Sequence, residues 1–555
     1  MEQEALVVQG GTLIDGTGRP PIENAVIVIE QGRFKAVGRK GEIAVPPGAE
    51  VIDAAGRTVL PGYIDGHGHL EDFQGELYLH LGITSVATIN IFQDGPWTGA
   101  QKRGTALGKI RGPRIWMAGR ALGGERCETN VDGMWDPRID RGNIVLRSAE
   151  DARRAVRRKK ERGCDIIKLN EFLAPELIKV VCEEAHGLGM PVIAHSWDAI
   201  ASAKAGVDSI EHIWAVGNSS VLYPPARERL HEDRLAGKID QEIAMSYYEP
   251  ENYGPIIDAM VANGTAWTPT IAKWLRPLSP SAARFRAREA EILDNPQSNL
   301  PGSVRAVTEV AYTKLKRYTP AQQERARIGY DKANSFIRRF VEAGGLLKEG
   351  ADPPRGLAGL LLHEALVMDV EAGVPPMTAI QSVTLNAAKV LKRDTDHGSI
   401  EPGKVADLVL IEGDPLADIW AMQNVKALVM EGRRVDTRFT GYKNPIPAFY
   451  PYQSLPSALD IAPNFVTEGA GPITLTVRGA GMWPFHRVML KREFGSLLNL
   501  NATELPTRYV SKNELEAVIA PELLSPAGTY TVTVKAEGEI MPESHRAHLI
   551  VGFAQ

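Results

Sequence analysis

Alternating apolar and polar positions mark two blocks of the chain, one at its beginning and one before its last quarter. Five segments show this pattern between Gly-rich turns: 5–15, 25–38, 51–62, 398–418 and 425–435. Alternation with a period of two is typical of half-buried β-strands. Neither block is large enough to bury a core alone. We therefore expect residues 1–61 and 386–443 to pair into one composite β domain, a small β-sandwich.

Between these blocks, short apolar runs alternate with amphipathic stretches of helical period. The runs that predict strands lie at 63–70, 83–89, 114–119, 165–170, 191–196, 209–213, 265–270 and 346–352. Such an alternation predicts an α/β fold, a (β/α)8 TIM-type barrel that covers residues 62–385. The longest insertion, 277–342, is rich in Arg and Ala, so we expect helices there with their charges in solvent.

The helical period disappears after a Pro-rich stretch at 444–457, which predicts a linker. Beyond the linker, three runs place alternate apolar residues on one face: 473–479, 529–535 and 548–553. Turn signals rich in Pro and Gly lie between them. Residues 458–555 are therefore predicted to form a small antiparallel all-β sandwich.

Composition excludes several classes of partner. The chain has 555 residues with 44% hydrophobic and 24% charged, which is ordinary for a globular protein. Its 63 Lys and Arg nearly balance 68 Asp and Glu, so it lacks the basic excess of proteins that bind nucleic acids or anionic membranes. We expect a small-molecule substrate, no nucleic acid and no membrane partner.

The cysteines and the apolar runs bear on location. Cys127, Cys164 and Cys182 are too few for a disulfide framework and have no C-x-x-C spacing. No apolar run approaches the roughly 18 residues of a membrane span. We expect a cytoplasmic location for the sequence as it stands, or a periplasmic or secreted one if a signal peptide has been removed.

The strongest local signal is the motif D-G-H-G-H, which places His67 and His69 at the end of the first predicted barrel strand. Residues i and i+2 of a strand point the same way, so both imidazoles can reach one metal ion. His195 and His212 end the fifth and sixth runs. Barrel active sites lie at the C-terminal ends of the strands, and four histidines at that end are hard to explain as packing. The sequence therefore predicts a metal site there.

Two further runs end in ionisable residues. Asp352 ends the last run, where a carboxylate can bind a metal ion and also accept a proton from a bound water. Lys168 lies near the end of the fourth run, where its ammonium would be repelled by a divalent cation. Either Lys168 forms a salt bridge that points outward, or its neutral amine reacts with carbon dioxide to give an anionic carbamate that bridges two metals.

These motifs, in this order, resemble the amidohydrolase superfamily, in particular its imidazolonepropionase-like and Xaa-Pro dipeptidase-like metal-dependent hydrolases. The matching segments are LPGYIDGHGHL, GPRIWMAG, CDIIKLN, PVIAHS, SIEHI, TAWTPT, GAD, HEALVMDVEAGVPPMTAIQSVTLNAAKVL and GSIEPGKVADLVLIEGDPLADI. The resemblance covers roughly residues 5–440. It implies a distorted barrel and a β domain built from both ends of that region. The sequence KEGAD departs from the family pattern, in which small residues and Thr more often precede the Asp.

The resemblance implies a binuclear metal centre. Its ligands would be His67, His69, Lys168, His195, His212 and Asp352. The first two histidines would hold the more buried ion, the other two the second ion, and a carbamate on the lysine would bridge both. Asp352 would bind the first ion and act as the general base. Zinc is the usual metal of the family, and manganese or cobalt also fit these ligands.

The leading hypothesis is hydrolysis of an amide bond in a small substrate, such as an N-acyl amino acid or a dipeptide, by a hydroxide that bridges the metals. The same site could cleave an ester, a lactone or a carbamate. A mononuclear deaminase is the alternative, but such sites carry an acid after the strand-five or strand-six ligand and no bridging lysine. A non-catalytic scaffold is a third hypothesis, and such relatives lose ligands that are all filled here. Two, one or no metal ions per chain would distinguish the three.

Residues that contact the substrate are harder to identify. Arg355, three residues after Asp352, and Tyr223, in the loop after His212, could bind a substrate carboxylate or could be structural. Trp214 and Trp267 could line an apolar pocket or pack between barrel and helices.

The C-terminal segments PITLTVRGAGM and ELLSPAGTYTVTVK resemble an immunoglobulin-like domain of the IPT/TIG type. The resemblance implies that residues 458–555 form such a domain. We expect it to serve in packing or oligomerisation, and the protein to be a homo-oligomer.

Overall fold

The computed structural model of the chain describes most of it. The described residues are 5–89, 95–124, 144–235, 238–353, 355–446, 457–480, 482, 486–492, 502–511, 513–524, 528–536 and 547–552. Most of the predicted linker, and Cys127, lie outside these ranges. Cys164 and Cys182 are buried free thiols.

The chain divides into two compact units. The first unit comprises the described parts of 1–131, 137–222 and 245–448. The second comprises the described parts of 223–244 and 449–555.

Strands β1–β18 all belong to the first unit. They are β1 (Leu6–Gln9), β2 (Thr12–Leu13), β3 (Ala25–Glu30), β4 (Arg33–Arg39), β5 (Glu50–Asp53), β6 (Thr58–Pro61), β7 (Tyr63–Gly68), β8 (Ile83–Thr88), β9 (Arg114–Met117), β10 (Leu122–Gly123), β11 (Ile144–Val145), β12 (Ile167–Leu169), β13 (Val192–Ala194), β14 (Ser209–Glu211), β15 (Ala266–Thr268), β16 (Leu408–Ile411), β17 (Val425–Met430) and β18 (Arg433–Val435).

Sixteen α-helices are described. They are α1 (Gly75–His80), α2 (Gly95–Ala106), α3 (Ala149–Glu161), α4 (Pro175–Gly187), α5 (Ala199–Ala205), α6 (Ile213–Ser220), α7 (Pro224–Leu235), α8 (Gln241–Ala244), α9 (Tyr253–Ala262), α10 (Ile271–Leu275), α11 (Ala282–Leu293), α12 (Gly302–Leu315), α13 (Pro320–Glu342), α14 (Leu360–Glu371), α15 (Pro376–Ser382) and α16 (Leu385–Val390). Helices α11 to α13 fill the predicted helical insertion. Within the described ranges, no helix has the length and apolar character needed to cross a membrane.

Strands from both ends of the first unit pair with one another. β6 and β16 are antiparallel neighbours, with Thr58 opposite Ile411 and Pro61 opposite Leu408. They lie in a five-stranded sheet of order β18-β17-β16-β6-β2, and a second sheet has the order β4-β3-β1-β5. Buried side chains of both sheets form one core cluster. This pairing of sequence-distant strands is the kind that the alternating patterns predicted.

The middle of the first unit contains parallel strands. β7-β8-β9 form one sheet, and β11-β10-β12-β13-β14-β15 form another. Strands occur at seven of the eight predicted positions, and each is followed by helical segments. Asp165 N donates to Met117 O at 2.8 Å, which links the border of the first sheet to the start of β12. Within each of the two sheets the strands point their C-terminal ends the same way, because their pairings are parallel.

The eighth predicted strand, segment 346–352, is not a regular strand. Among the described residues it makes one isolated parallel bridge, between Leu347 and Trp267. Its backbone bonds both neighbours nevertheless: Lys348 N donates to Trp267 O at 2.9 Å, and Asp352 N donates to His67 O at 2.8 Å. Asp352 has a φ of +46°, a left-handed conformation that interrupts extended pairing. The prediction of a regular strand here is wrong, but the segment does lie between β15 and β7.

The second unit contains two sheets. Its strands are β19 (Ser457–Ala462), β20 (Phe465–Thr467), β21 (Ile473–Ala480), β22 (His486–Arg492), β23 (Thr503–Glu504), β24 (Thr507–Ser511), β25 (Glu514–Ile519), β26 (Gly528–Ala536) and β27 (Ala547–Gly552). The sheet orders are β19-β21-β25-β24 and β20-β27-β26-β22-β23. Leu475, Val477, Val532 and Val534 are buried in one core cluster shared by both sheets, as the alternation predicted. The immunoglobulin-like assignment stays a prediction.

Candidate metal centre

Strand β7 positions two buried histidines at its C-terminal end. His67 lies in the strand and His69 directly after it. His69 Nε2 is 2.9 Å from Asp352 Oδ1, and His67 Nε2 is 3.8 Å from the same oxygen. The i, i+2 spacing therefore brings both rings to the carboxylate at the end of segment 346–352.

Two further histidines come from strands of the other parallel sheet. His195 follows β13 and His212 follows β14, and their Nε2 atoms are 2.7 Å apart. His212 has a φ of +71°, which turns the chain from the strand into helix α6. Burial lowers the pKa of both imidazoles well below the usual range, so both rings are neutral near pH 7. We call His67, His69, His195 and His212 the histidine cluster.

The donor atoms converge in two overlapping groups. One group is His67, His195 and His212, and the other is His67, His69 and Asp352. Within each group the possible ligand atoms lie within 4.8 Å of one another, and His67 belongs to both. The structure thus brings together the four predicted histidine ligands and the predicted aspartate.

The outer nitrogen of each ring contacts a second group. The partners of Nδ1 are Glu211 for His67, Ile89 O for His69, Thr270 Oγ1 at 2.8 Å for His212, and Glu171 Oε1 at 3.6 Å for His195. Thr270 donates its own hydroxyl to Pro269 O, so it accepts from Nδ1–H of His212. A neutral ring that donates through Nδ1 leaves the lone pair on Nε2. Such outer contacts fix tautomers and ring orientation in metal sites.

The tautomer with the proton on Nδ1 leaves the lone pair of Nε2 inside the cluster. His212 Nε2 presents a lone pair toward His195 Nε2, and His69 Nε2 presents one toward the Asp352 carboxylate when Nδ1 donates to Ile89 O. Lone pairs on ring nitrogens that converge beside a carboxylate are the donors that a divalent metal ion binds. The arrangement therefore fits one or more divalent cations.

Sequence reasoning missed Glu211, which precedes His212. Its carboxylate is fully buried and accepts from His67, from Ser209 Oγ at 2.6 Å and from Lys348 Nζ at 3.2 Å. Burial raises the pKa of Glu211, but Lys348 and His67 lower it and hold it well below its usual range. Glu211 is thus a permanent anion behind the cluster. Its place directly before a strand-end histidine was the signal that could have found it.

Lys168 lies in β12 with its side chain 1% exposed. Its Nζ has no hydrogen-bond partner among the described residues. Burial lowers its pKa to about 8, although the nearby carboxylates of Glu211, Glu171 and Asp352 act in the opposite direction. A buried amine without a partner is costly, so the outward salt bridge considered from the sequence is not what the structure has. Lys168 remains available for the carbamate.

Asp352 carries an ion pair that the sequence did not predict. Lys273, in α10, places Nζ 2.8 Å from Asp352 Oδ2. Burial raises the pKa of Asp352, but the charge of Lys273 and the hydrogen bond with His69 lower it well below its usual range. The carboxylate is therefore ionised near neutral pH. Position 273 lies in the first helix after β15, at the end of the sheet where a site was expected.

The two predicted substrate contacts differ in environment. Arg355 is buried, with its guanidinium 3.8 Å from the centre of the Trp274 ring. Tyr223 belongs to the second unit, directly precedes α7, and is 68% exposed. Their roles stay predictions.

The two tryptophans also differ. Trp214 contacts the rings of His195 and His212, with centroids 5.1 and 5.6 Å away, so it borders the cluster. Trp267 is fully buried against Phe336 and Phe340, which is packing.

A family model for the amidohydrolase family matches residues 328–435. The chain carries an amidohydrolase family domain. The predicted resemblance is confirmed at this level. The matched residues of the amidohydrolase domain include Asp352, whereas the histidine cluster precedes them.

Relatives extend the similarity over more than two thirds of the chain. The chain is 24% identical over 446 residues to an adenine deaminase from Rubrobacter xylanophilus, covering 79% of this chain and 59% of that enzyme. It is 27% identical over 413 residues to an imidazolonepropionase from Pseudomonas fluorescens, covering 72% of this chain and 90% of that enzyme. The amidohydrolase family and these relatives indicate a hydrolase acting on carbon–nitrogen bonds, as predicted.

A solved structure supports the fold. A Xaa-Pro dipeptidase with methionine bound in its active site aligns with a TM-score of 0.55 at 24% identity. The alignment covers 78% of this chain and 100% of the dipeptidase chain.

Proposed function

We propose that this chain hydrolyses an amide bond in a small substrate, such as an N-acyl amino acid or a dipeptide, with two divalent metal ions. The observation that carries the proposal is the pair of overlapping donor groups that share His67. His67 can give Nε2 to one ion only, because its Nδ1 contacts Glu211. The four histidines and Asp352 nevertheless offer five donors, more than the three protein ligands that a catalytic zinc ion usually takes, which supports two ions.

The proposed ligands are His67, His69, Lys168, His195, His212 and Asp352. Imidazole and carboxylate donors fit zinc, and also manganese or cobalt. Bound divalent ions supply Lewis-acid polarisation of the scissile carbonyl and lower the pKa of water to about 7. The lone pairs on Nε2, oriented by Glu211, Ile89 O and Thr270, are the feature of this structure that such ions require.

We infer that Lys168 becomes a ligand by carboxylation. Its neutral amine would attack carbon dioxide and form a nitrogen–carbon bond, and the nitrogen would lose one proton to solvent. The product is a carbamate with one negative charge. This charge would remove the cost of a buried amine that has no hydrogen-bond partner among the described residues.

Asp352 is the proposed proton carrier. Its ionised carboxylate can accept a proton from the attacking water and donate that proton to the leaving nitrogen. Burial among His69, His212 and Lys273 holds it in one place. Trp214, packed on the rings of His195 and His212, shields that side of the cluster from water.

We also infer that the parallel strands close into a (β/α)8 barrel. The support is the backbone bonding of segment 346–352 to Trp267 on one side and to His67 on the other. Closure would bring all strand ends that carry ligands around one mouth.

A mononuclear deaminase is the second candidate. Glu171, which is buried and 3.6 Å from His195 Nδ1, is an acid beside the cluster, although it follows the fourth predicted strand and not the fifth or sixth. The adenine deaminase relative also favours it. Ammonia released from adenine or another amino-substituted ring would support this candidate over amide hydrolysis.

The test is chelation followed by reconstitution with zinc, manganese or cobalt. N-acyl amino acids, dipeptides, aryl amides, esters, lactones and carbamates serve as substrates, with adenine for the alternative. We expect chelation to abolish amide hydrolysis and metal to restore it. Full amide hydrolysis by rigorously metal-free protein would contradict the proposal.

A further inference from the structure

Lys273 lies at the histidine cluster, but none of the roles above requires it. It belongs to α10, directly after β15 and Thr270, the residue that orients His212. Its Nζ is 2.8 Å from Asp352 Oδ2, and its side chain is 12% exposed whereas that of Asp352 is 3% exposed. Lys273 therefore borders solvent more than the residue it pairs with.

Several groups surround the carboxylate of Asp352. Besides Lys273, it contacts His69 at 2.9 Å and His212 at 3.4 Å. The same carboxylate is the proposed ligand and proton acceptor, so its oxygens cannot stay committed to Lys273 during the reaction. An ammonium that loses its anion in a nearly buried site is strongly destabilised. Lys273 therefore requires a second anion when the site is in use.

A second cation lies beside it. Arg355 stacks on Trp274 at 3.8 Å, and Lys273 Nζ lies 5.4 Å from the centre of the same ring. Trp274 thus contacts two positive charges, those of Lys273 and Arg355. This edge of the site has the charge that an anionic ligand would neutralise.

We propose that Lys273 determines specificity by binding an anionic group of the substrate, with a carboxylate near the scissile amide as the chemical class. When the substrate enters, its carboxylate pairs with the Lys273 ammonium in place of Asp352. The Asp352 carboxylate is then available for proton transfer. Arg355, which contacts the same Trp274 ring, adds positive charge. The reaction in this proposal rests on the proposed amide hydrolysis, whereas the binding of the carboxylate by Lys273 does not.

A purely structural role makes a different prediction. If Lys273 only holds Asp352 in place, its loss affects every substrate equally. If it also binds the substrate's anion, its loss affects acids more than their neutral analogues. The ratio between an acid and its neutral isostere therefore separates the two roles.

The experiment compares N-acetyl-L-alanine with N-acetyl-L-alaninamide, measured by acetate release and by calorimetric binding to the metal-loaded full chain. The variant is Lys273→Met, which keeps length and removes charge. The matched control is Lys179→Met on the surface of α4. Metal content is measured in each preparation, so that loss of ions is not mistaken for loss of specificity.

We expect the parent and Lys179→Met to prefer the acid, and Lys273→Met to lose about 10- to 100-fold of that preference, as a charged hydrogen bond suggests. The loss should be mainly in KM and in binding, with metal content unchanged. Equal loss for both probes, or no preference in the parent, would overturn the inference. Amide hydrolysis without an acid preference leaves the proposed function intact. Acid binding that depends on Lys273, without hydrolysis of either probe, supports the inference and contradicts the function.

Discussion

Asp352 is the residue at which most contacts of the site meet. It bonds His69 and Lys273, and its own backbone N–H donates to His67 O. Its side chain should therefore matter for turnover more than for folding.

Asp352→Asn keeps the size and one acceptor oxygen but removes the proton acceptor. We expect kcat to fall by at least ~10²–10⁴-fold, the usual contribution of a general acid–base group. Much of the metal should stay bound, because the histidine cluster is intact. Measuring kcat and metal content on the same sample checks this. Turnover equal to the parent would place the base elsewhere.

Lys168→Ala should lose the binuclear centre, because the proposed carbamate is the bridging anion. Added acetate or propionate should restore part of the metal content and activity by supplying a carboxylate in its place. Reconstitution of the metal-free parent should also be faster with bicarbonate. Lys204→Ala, an exposed lysine at the end of α5, is the matched control and should behave as the parent.

An unmodified amine at Lys168 in protein that holds two metal ions would contradict the bridge. So would a Lys168→Ala variant that binds two ions without added carboxylate. Either result can be read from metal analysis together with the mass of the intact protein.

At the scale of the elements, segment 346–352 contributes one member of a buried pair of acidic residues. Glu349 and Asp369 of α14 are both fully buried. Burial raises the pKa of each, and the charge of Asp369 raises that of Glu349 further. Two carboxyl groups with raised pKa values that influence each other retain a proton between them near neutral pH.

The direction of the pH effect follows from these shifts. The folded pKa of the pair is raised above its unfolded value of about 4, so its stability contribution is present at lower pH and is lost as pH rises. Asp369→Asn removes one of the two titrating groups. We expect the free energy of unfolding to fall less between pH 5 and pH 9 in this variant than in the parent, measured by urea titration. Asp331→Asn, an exposed residue of α13, should follow the parent. If the free energy of unfolding falls equally with pH in Asp369→Asn and in the parent, the raised pKa of this pair is contradicted.

The elements that could be predicted are those whose pattern is local. Alternation located the strands that carry His67, His195 and His212, because strand side chains repeat every two residues. Segment 346–352 was expected to be a strand, but the left-handed conformation of Asp352 is not visible in a pattern of apolar residues. Its position between β15 and β7 was predicted from order alone.

The missed residues are those whose role depends on distant partners. Glu211 acts through His67 and Lys348, and Lys273 acts through Asp352. A charged residue in a strand or in a short helix normally lies in solvent, so no pattern along the chain pairs Glu211 or Lys273 with these partners. Only the fold brings the charges together.

At the scale of the whole molecule, the proposed ligands all belong to the first unit. They come from β7, β12, the ends of β13 and β14, and segment 346–352. Such a site forms only when these elements are folded together, so bound metal should stabilise the folded unit. The second unit contributes none of the proposed ligands.

The number of metal ions per chain tests the central claim most directly. Purified protein reconstituted with zinc and freed of excess metal should retain two ions per chain by elemental analysis. His195→Ala should retain fewer, while His186→Ala, a half-exposed histidine paired with Asp208, should retain two. One ion in the parent would favour the mononuclear deaminase, and a folded parent that retains none would contradict the account.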